Sequence, residues 1–225
     1  MVEVRPLRVF TDDGGRHGNY LGVVLDAAAL GTTDRLSFAN LVGYSATVFV
    51  EDADKGVLQI FTPVGELPFA GHPVVGTAWL LARELGVPPT TLYPAAGPVP
   101  TWTEGPQVWA SAALAWTPPW WHERIGSAVA VDALRGPQDA AQDATQIWAW
   151  EDEPAGCVRA RVFASRLGIP EDEACGSACM RLAAALGRAL IVRHGAGSIV
   201  AARPGAAPGM ADVGGRVVAE PVRRL

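Results

Sequence analysis

The chain has 225 residues, of which 49% are hydrophobic and 18% are charged, and its formal net charge is −5. This length and composition suit one compact domain or two small lobes with apolar cores. The negative charge and the scattered arginines exclude the basic patch that neutralises a nucleic-acid backbone, so we expect no nucleic-acid partner.

Three further features predict a cytoplasmic protein that does not enter a membrane. No stretch approaches the roughly 20 apolar residues of a membrane span. Glu3 and Arg5 precede any apolar run, unlike the start of a secretory signal. The three cysteines, Cys157, Cys175 and Cys179, have the wrong number and spacing for a disulfide framework, so we expect a reducing compartment.

The first half of the chain alternates between predicted strands and helices. Strand-like apolar patterns cover residues 7–11, 21–25, 47–50 and 57–61. Residues 33–42 have the pattern of a helix that Thr32 could cap. Residues 73–85 form a better-defined helix, because Pro73 suits a first helical position and Gly86 suits a stop.

The second half repeats this arrangement after a stretch rich in Pro, Gly and Thr at residues 88–106. Strands are predicted at residues 108–114, 128–131, 147–150, 158–163, 189–192, 198–201 and 217–219, and one helix at 177–186. We therefore predict an α+β fold of two similar lobes, residues 1–100 and 101–225. The last strand is free to return towards the first lobe.

Two small-residue turns lead directly into the two well-defined helices. Their sequences are Phe-Ala-Gly-His-Pro at 69–73 and Asp-Glu-Ala-Cys-Gly-Ser at 172–177. The first N–H groups of a helix lack partners inside it and carry partial positive charge, so Gly71 and Gly176 would let a carboxylate approach them. His72 lies at the first turn, and Asp172 and Cys175 lie at the second. The pattern predicts a site that holds a small carboxylic acid and moves a proton.

Cys175 is subject to two opposing influences. A helix N-terminus lowers the pKa of a thiol and would let it act as a base, whereas the nearby carboxylate of Asp172 raises that pKa. The sequence leaves the balance open. We expect Cys179, four residues along the helix, and Cys157, after a turn, to pack rather than react. No further Cys or His completes a four-ligand set around these cysteines, so no metal site is predicted.

Several segments resemble the signatures of one family. They are Phe-Thr-Pro at 61–63, Glu-Leu-Pro-Phe-Ala-Gly-His-Pro at 66–73, Gly-Thr-Ala at 76–78 and Asp-Glu-Ala-Cys-Gly-Ser-Ala at 172–178, supported by residues 9–11, 18–19, 203–204 and 213–218. Together they resemble the PhzF-like isomerases, named for phenazine biosynthesis. The resemblance implies a fold like that of diaminopimelate epimerase, in which each of two lobes wraps a mostly antiparallel curved sheet around a central helix. It also implies an active site in the cleft between the lobes that uses no metal or cofactor.

The resemblance assigns roles to residues of both turns. His72 and Asp172 match polar residues of the family's site. Gly71, Gly176 and Ser177 match turns whose N–H groups hold the substrate carboxylate. Further substrate-binding candidates are Ser45, Asn19 and Glu66.

Ala46 departs from the family pattern. Members carry a glutamate base in a Ser-Glu-Thr segment, and residues 45–47 of this chain read Ser-Ala-Thr. Three interpretations remain open. The change is natural and the chemistry has moved to Cys175, Asp172 or His72. Alternatively, the change is an introduced Glu→Ala substitution that traps a substrate, or the chain is a natural member that binds its ligand without turning it over.

We expect a cofactor-independent isomerase that moves a proton within a small unsaturated or cyclic carboxylic acid, in natural-product biosynthesis, as a homodimer. The first alternative is an amino-acid racemase or epimerase, because Cys175 stands where most relatives have threonine and thiol-dependent epimerases have cysteine. Those epimerases use a cysteine from each lobe, and the other position here is Ala70. The second alternative is a ligand-binding protein without catalysis. Trp120 and Trp121 could form a dimer contact or a lid over an aromatic or hydrophobic substrate.

Overall fold

The structure, a computed structural model, describes residues 1–27, 30–31, 34–138, 144–165 and 169–225. These residues form an α+β fold in which sixteen strands belong to one continuous hydrogen-bonded sheet. The sheet is mixed, and most of its neighbouring strands are antiparallel.

The first half of the chain supplies one end of the sheet. Its elements are β1 (Glu3–Thr11), β2 (Asn19–Val24), α1 (Arg35–Val42), β3 (Ala46–Asp52), β4 (Val57–Thr62), β5 (Gly65–Leu67) and α2 (Gly71–Leu85). The strands lie in the order β5–β4–β3–β2–β1. Only β2 and β3 are parallel within this order.

The second half supplies the other end. Its elements are β6 (Thr91–Leu92), β7 (Val99–Glu104), β8 (Gln107–Ala113), a 3₁₀ turn (Leu114–Trp116), β9 (Trp121–Arg124), α3 (Ala128–Asp132), β10 (Thr145–Asp152), β11 (Cys157–Ala164), β12 (Ile169–Asp172), α4 (Gly176–Leu186), β13 (Leu190–His194), β14 (Ser198–Pro204), β15 (Met210–Ala219) and β16 (Arg223–Arg224). The order is β15–β14–β13–β11–β10–β9, with β6, β7 and β8 attached through β15.

Strand β15 joins the two ends of the sheet. Its first part pairs with β8 and β14, and its last part pairs antiparallel with β1, where Val217 lies opposite Val9. Helix α2 packs against β1, β2, β3, β8 and β15, while α4 packs against β13, β14 and β15. Both helices therefore pack against the sheet, and β15 contacts both of them.

The structure corrects several predicted elements. Residues 128–131, predicted as a strand, belong to α3, because the Ser127 hydroxyl accepts a hydrogen bond from the Ala130 N–H and caps a helical turn. Residues 88–106, predicted as an irregular boundary, contain β6 and β7. The last long strand begins at Met210 rather than at residue 217, because its ladder with β8 extends the pairing. The division of the chain at residue 100 stays a prediction.

The helix starts also differ from the prediction. Helix α1 begins at Arg35 after Asp34, and the predicted cap Thr32 lies outside the described residues. Helix α2 begins two residues before Pro73, which therefore occupies the third helical position. Proline is still tolerated there, because the first-turn N–H groups have no intrahelical partner.

No helix within the described ranges is both long and apolar enough to cross a membrane. The same ranges hold no group of three or more His, Cys, Asp or Glu side chains placed to bind a metal ion. The three cysteines are free thiols.

Gly76 tests the packing of α2 on the sheet. A methyl group added there would come within 2.5 Å of Leu21 Cδ2 and 2.8 Å of Val9 Cγ2. We predict that Gly76→Ala lowers the free energy of unfolding by about 1–3 kcal/mol in urea denaturation, because these buried neighbours must shift. Gly126→Ala is the control, since a methyl group there meets no atom within 4 Å, and it should change stability by less than about 0.5 kcal/mol. Equal stability of the two variants would contradict this packing.

Candidate active site

The N-termini of α2 and α4 are neighbours. Helix α2 begins after Ala70 and α4 begins after Cys175, and neither has a hydrogen bond from a capping side chain. A methyl group placed on Gly71 would lie 3.7 Å from the Gly176 Cα. The free N–H groups of both helices therefore carry their partial positive charge to the same place.

Phe10 and Val213 pack against the glycines that begin the two helices. A methyl group on Gly176 would approach Phe10 Cε2 and Val213 Cγ2 to 3.3 Å, and one on Gly71 would approach Val213 Cγ1 to 3.3 Å. Phe10 is fully buried, has a φ of 69° and lies at an irregularity in the pairing of β1 with β15. Such a conformation is costly for a residue other than glycine and persists because the surrounding packing fixes it. Close packing on β1 and β15 thus explains why both helices start with glycine.

The two helix ends open into a cavity of about 880 Å³. The predicted site residues that line it are Asn19, Ser45, Ala46, Gly71, His72, Asp172, Cys175, Gly176 and Ser177. Glu66 is exposed on β5 and is not among the lining residues. The fold therefore brings predicted residues from both halves of the chain around one space and places Glu66 outside it.

Asp172, the last residue of β12, is held in a defined orientation. Its Oδ1 accepts hydrogen bonds from Asn19 Nδ2 at 2.7 Å and from the Ala174 N–H at 3.1 Å. Asn19 Nδ2 also donates to the Ala174 carbonyl at 3.1 Å, so both amide hydrogens are used and only the side-chain oxygen of Asn19 is left for a ligand. Asn19 thus positions Asp172, whose Oδ2 has no hydrogen-bond partner among the described residues.

Two other carboxylates, those of Glu171 and Glu173, line the cavity, and both already accept hydrogen bonds from protein groups. Arg161 donates from Nε and Nη2 to the two oxygens of Glu171, each at 2.7 Å. Glu173 accepts from a backbone N–H in the turn before β14 at 2.7 Å and from the Ser198 hydroxyl at 2.6 Å. Within the described part of the chain, Asp172 is therefore the lining carboxylate that keeps an unpaired oxygen.

His72 is neutral at pH 7. Burial lowers its pKa from 6.5 to about 4, against the opposing charge of Asp172. His72 Nε2 lies 3.4 Å from Ser45 Oγ, and the Ser45 hydroxyl donates its proton to the Tyr20 carbonyl at 2.8 Å. Because Ser45 has no second proton, a hydrogen bond between the two side chains places the ring proton on Nε2 and leaves Nδ1 as an acceptor.

Cys175 carries a neutral thiol. Burial raises the pKa of this thiol well above its ordinary value, and the charge of Asp172 adds to the effect. Contacts with the Ser177 hydroxyl and the Ala178 N–H lower the pKa only in part. The influences that the sequence leaves open thus sum to a raised pKa, which disfavours a thiolate base. Cys179 is also fully buried, and burial raises the pKa of its thiol to about 12.

Ala46 supplies no proton acceptor to the cavity. It is the first residue of β3, is 1% exposed and forms part of the cavity wall. A longer side chain at this position would have to extend into the cavity or displace its neighbours. Any base for the chemistry must therefore come from another lining residue.

Sequence reasoning named Trp120 as part of a lid over a substrate but missed Phe69 and Trp116 on the aromatic side of the cavity. Phe69, Trp116 and Trp120 line it, and Trp120 Nε1 donates to Ser177 Oγ at 2.8 Å. Trp121, which the sequence groups with Trp120, is 56% exposed and is not a lining residue. The available signal is Phe69 itself, the first residue of the turn at 69–73, which places an aromatic ring next to a helix start.

We predict that His72 makes the chain less stable in acid. The unfolded chain protonates this histidine near pH 6.5 and the folded chain near pH 4. Between these values the unfolded state binds the additional proton, so the free energy of unfolding falls as the pH drops, by up to about 1.4 kcal/mol per pH unit. Urea denaturation of the chain and of His72→Gln should show a flatter profile for the variant between pH 6.5 and 4. Parallel profiles would show that His72 is not a buried neutral group.

Comparison with known proteins extends these observations. The family model PhzC-PhzF, described as phenazine biosynthesis-like protein, matches residues 7–147, more than half of the chain. An uncharacterized isomerase of Mesorhizobium japonicum is 47% identical over 73 residues, which are 31% of this chain and 24% of that protein. The trans-2,3-dihydro-3-hydroxyanthranilate isomerase of Pseudomonas chlororaphis is 44% identical over 64 residues, 27% of this chain and 23% of that protein. These matches thus span about a quarter of each relative.

Solved structures show the same fold over the whole chain. A PhzF-family phenazine biosynthesis protein of Bacillus anthracis has a TM-score of 0.78 at 19% identity, covering 99% of this chain and 98% of its own. A hydroxyproline epimerase of Agrobacterium vitis has a TM-score of 0.60 at 12% identity, covering 99% and 91%. These likenesses establish a fold common to PhzF-like and proline racemase-like proteins. On the strength of the family model and of this fold, the chain belongs to the PhzC-PhzF family of phenazine biosynthesis-like proteins, whose relatives include named isomerases.

Proposed function

We propose that this chain is a cofactor-independent isomerase that moves a proton within a small unsaturated or cyclic carboxylic acid, in natural-product biosynthesis. The observation that carries the proposal is Asp172 Oδ2, which has no hydrogen-bond partner among the described residues and belongs to a residue lining a cavity into which two uncapped helix N-termini open. Helix N-termini bind carboxylates, and an oriented carboxylate accepts protons. The site thus combines an anchor for an acid with a base.

The proposed mechanism needs only one base. The N–H groups of Gly176 and Ser177 hold the substrate carboxylate and stabilise negative charge that develops next to it. Asp172 Oδ2 accepts a proton from a carbon beside the unsaturated group, and the electron pair of that C–H bond shifts the double bond. Asp172 then returns the proton to another carbon of the same conjugated system. Neutral His72 carries no charge that would pair with the substrate carboxylate, and its Nδ1 can accept a hydrogen bond from a hydroxyl or amine group of the substrate.

The alanine at position 46 lowers the reaction rate that we expect, because it removes one general base. The loss of one general base typically costs a factor of about 100 to 10,000. A natural change with Asp172 as the remaining base, an introduced Glu→Ala change and a binding protein without catalysis are all compatible with an alanine here. The Ala46→Glu variant restores the carboxylate. Its exchange rate should rise by a large factor only if the alanine has disabled the enzyme.

The racemase alternative is less well supported. Inversion of a stereocentre needs a base on each face, and the cap residue opposite Cys175 is Ala70. Burial and the Asp172 charge raise the pKa of the Cys175 thiol, so its resting form is a poor base. The specific observation in favour of this alternative is that the thiol lines the cavity at a helix start. Deuterium incorporated at the position of the original proton with inversion would support it, whereas a shifted double bond supports the proposal above.

Two further parts of the proposal concern assembly and compartment. Three free thiols are compatible with a reducing cytoplasm. The exposed Trp121 ring is a candidate contact for a homodimer. Light scattering of the purified chain decides between one and two copies of the 23.6 kDa chain.

We predict that solvent deuterium enters the substrate through Asp172. The test uses NMR in D2O with unsaturated cyclic acids, beginning with trans-2,3-dihydro-3-hydroxyanthranilate, the compound in the name of the Pseudomonas chlororaphis relative. Asp172→Asn should lower the exchange rate by about 100-fold to 10,000-fold, since it removes the base and keeps the shape. Cys175→Ala should leave the rate within about tenfold, because a neutral thiol is not the base.

Glu171→Gln is the matched control, because the Glu171 carboxylate is already paired with Arg161. It should retain the exchange rate of the unmodified chain. Exchange that vanishes in Cys175→Ala and persists in Asp172→Asn would refute the assignment of the base. Exchange seen only in Ala46→Glu would show that the chain as given is a disabled member of the family.

A further inference from the structure

The cavity is much larger than a small carboxylic acid requires. Its volume of about 880 Å³ lies near the upper end of the roughly 300 to 1,000 Å³ found for pockets that enclose drug-sized ligands. At about 30 Å³ for each water molecule in the liquid, it would hold roughly 30 waters. A ligand that fills only the space beside the two helix starts would leave most of the cavity to water.

Aromatic and aliphatic side chains line much of the cavity. Phe69 and Trp116 are in ring contact, with centroids 6.1 Å apart and planes inclined by 52°. Trp120 completes an aromatic wall, a name used below for Phe69, Trp116 and Trp120. The aliphatic lining residues are Val64, Leu67, Pro68, Pro118 and Ile169. Water in contact with such a surface is readily displaced by an apolar ligand group.

The aromatic wall is fixed to the same helix that offers the carboxylate site. Trp120 Nε1 donates to Ser177 Oγ at 2.8 Å, so the indole ring and the second residue of α4 are tied together. Arg181 of α4 donates to the Thr117 hydroxyl at 2.7 Å and to the carbonyl oxygens of Leu114 and Thr117, each at 2.9 Å. The loop that carries Trp116 and Trp120 is therefore ordered before a ligand binds, which reduces the entropy lost on binding.

The Trp120 contact also affects Ser177. An indole N–H only donates, so Ser177 Oγ must be the acceptor, and the serine proton is left to be donated to Cys175 Sγ, 3.6 Å away, or to a ligand. Ser177 therefore offers a backbone N–H and a hydroxyl proton at the helix start. The side chain of Ser177 thus links the aromatic wall to the helix start at which the substrate carboxylate is proposed to bind.

From this geometry we propose that the substrate is a carboxylic acid with a bulky aromatic or polycyclic apolar group, which packs against Phe69, Trp116 and Trp120. Its carboxylate lies at the N–H groups of Gly176 and Ser177, and this end of the inference rests on the proposed function. The apolar end rests on the volume and lining of the cavity alone. The two ends are therefore tested separately.

The first test measures affinity by calorimetry for benzoate and 2-naphthoate, which share a carboxylate and differ by one fused ring. We expect 2-naphthoate to bind the unmodified chain about tenfold more tightly, because the second ring is removed from water against the wall. Trp116→Ala and Trp120→Ala should each remove most of this preference. Trp120→Phe should retain it, since the ring remains and only the hydrogen bond to Ser177 is lost. Trp121→Ala, a neighbouring tryptophan outside the lining, should leave it unchanged.

The second test separates the two ends by charge, with benzamide and 2-naphthamide in place of the acids. If 2-naphthoate binds no more tightly than benzoate, or if the wall variants weaken both acids equally, the inference about the apolar group is overturned while the carboxylate site stands. If the amides bind as tightly as the acids but the naphthalene preference persists and depends on the wall, the apolar group is supported and the carboxylate site of the proposed function fails.

Discussion

The close approach of two uncapped helix N-termini is the constraint on which the site depends. Gly71 and Gly176 can be neighbours because neither has a side chain, and Phe10 and Val213 fill the space that a side chain would need. The residues before the two helices are alanine and cysteine, and neither caps the helix. The partial positive charge of both helix ends is therefore left for a ligand, and a carboxylate is the ligand it favours.

Asp172 acts on both neighbouring titratable groups of the cavity, His72 and Cys175. The charge of Asp172 opposes the fall in the pKa of His72 and adds to the rise in the pKa of Cys175. Burial is the larger cause for both groups, so the histidine and the thiol are neutral at pH 7. A carboxylate among neutral groups accepts and returns one proton without a second base. This arrangement fits a proton shift better than an inversion, even though the fold is shared with proline racemase-like proteins.

Much of this was predictable from the sequence, and the exceptions have physical reasons. The glycine turns and the long helices follow from local patterns, so the grouping of His72 with Asp172 could be expected before the fold was known. Residues 128–131 alternate small and larger apolar side chains as a strand does, yet the Ser127 cap makes them helical. Short strands such as β9 and β12 have too few residues to show a period. The pKa of Cys175 depends on burial, and Asn19 turns out to hold Asp172, which are tertiary properties that no local pattern records.

A crystal structure with benzoate bound is the most direct test of the central claim that the paired helix starts are a carboxylate site. The account predicts both carboxylate oxygens within about 3 Å of backbone nitrogens at Gly176 and Ser177, with the ring directed towards Asp172 Oδ2 and the aromatic wall. A carboxylate bound elsewhere in the cavity, with the N–H groups of both helices left to water, would contradict it.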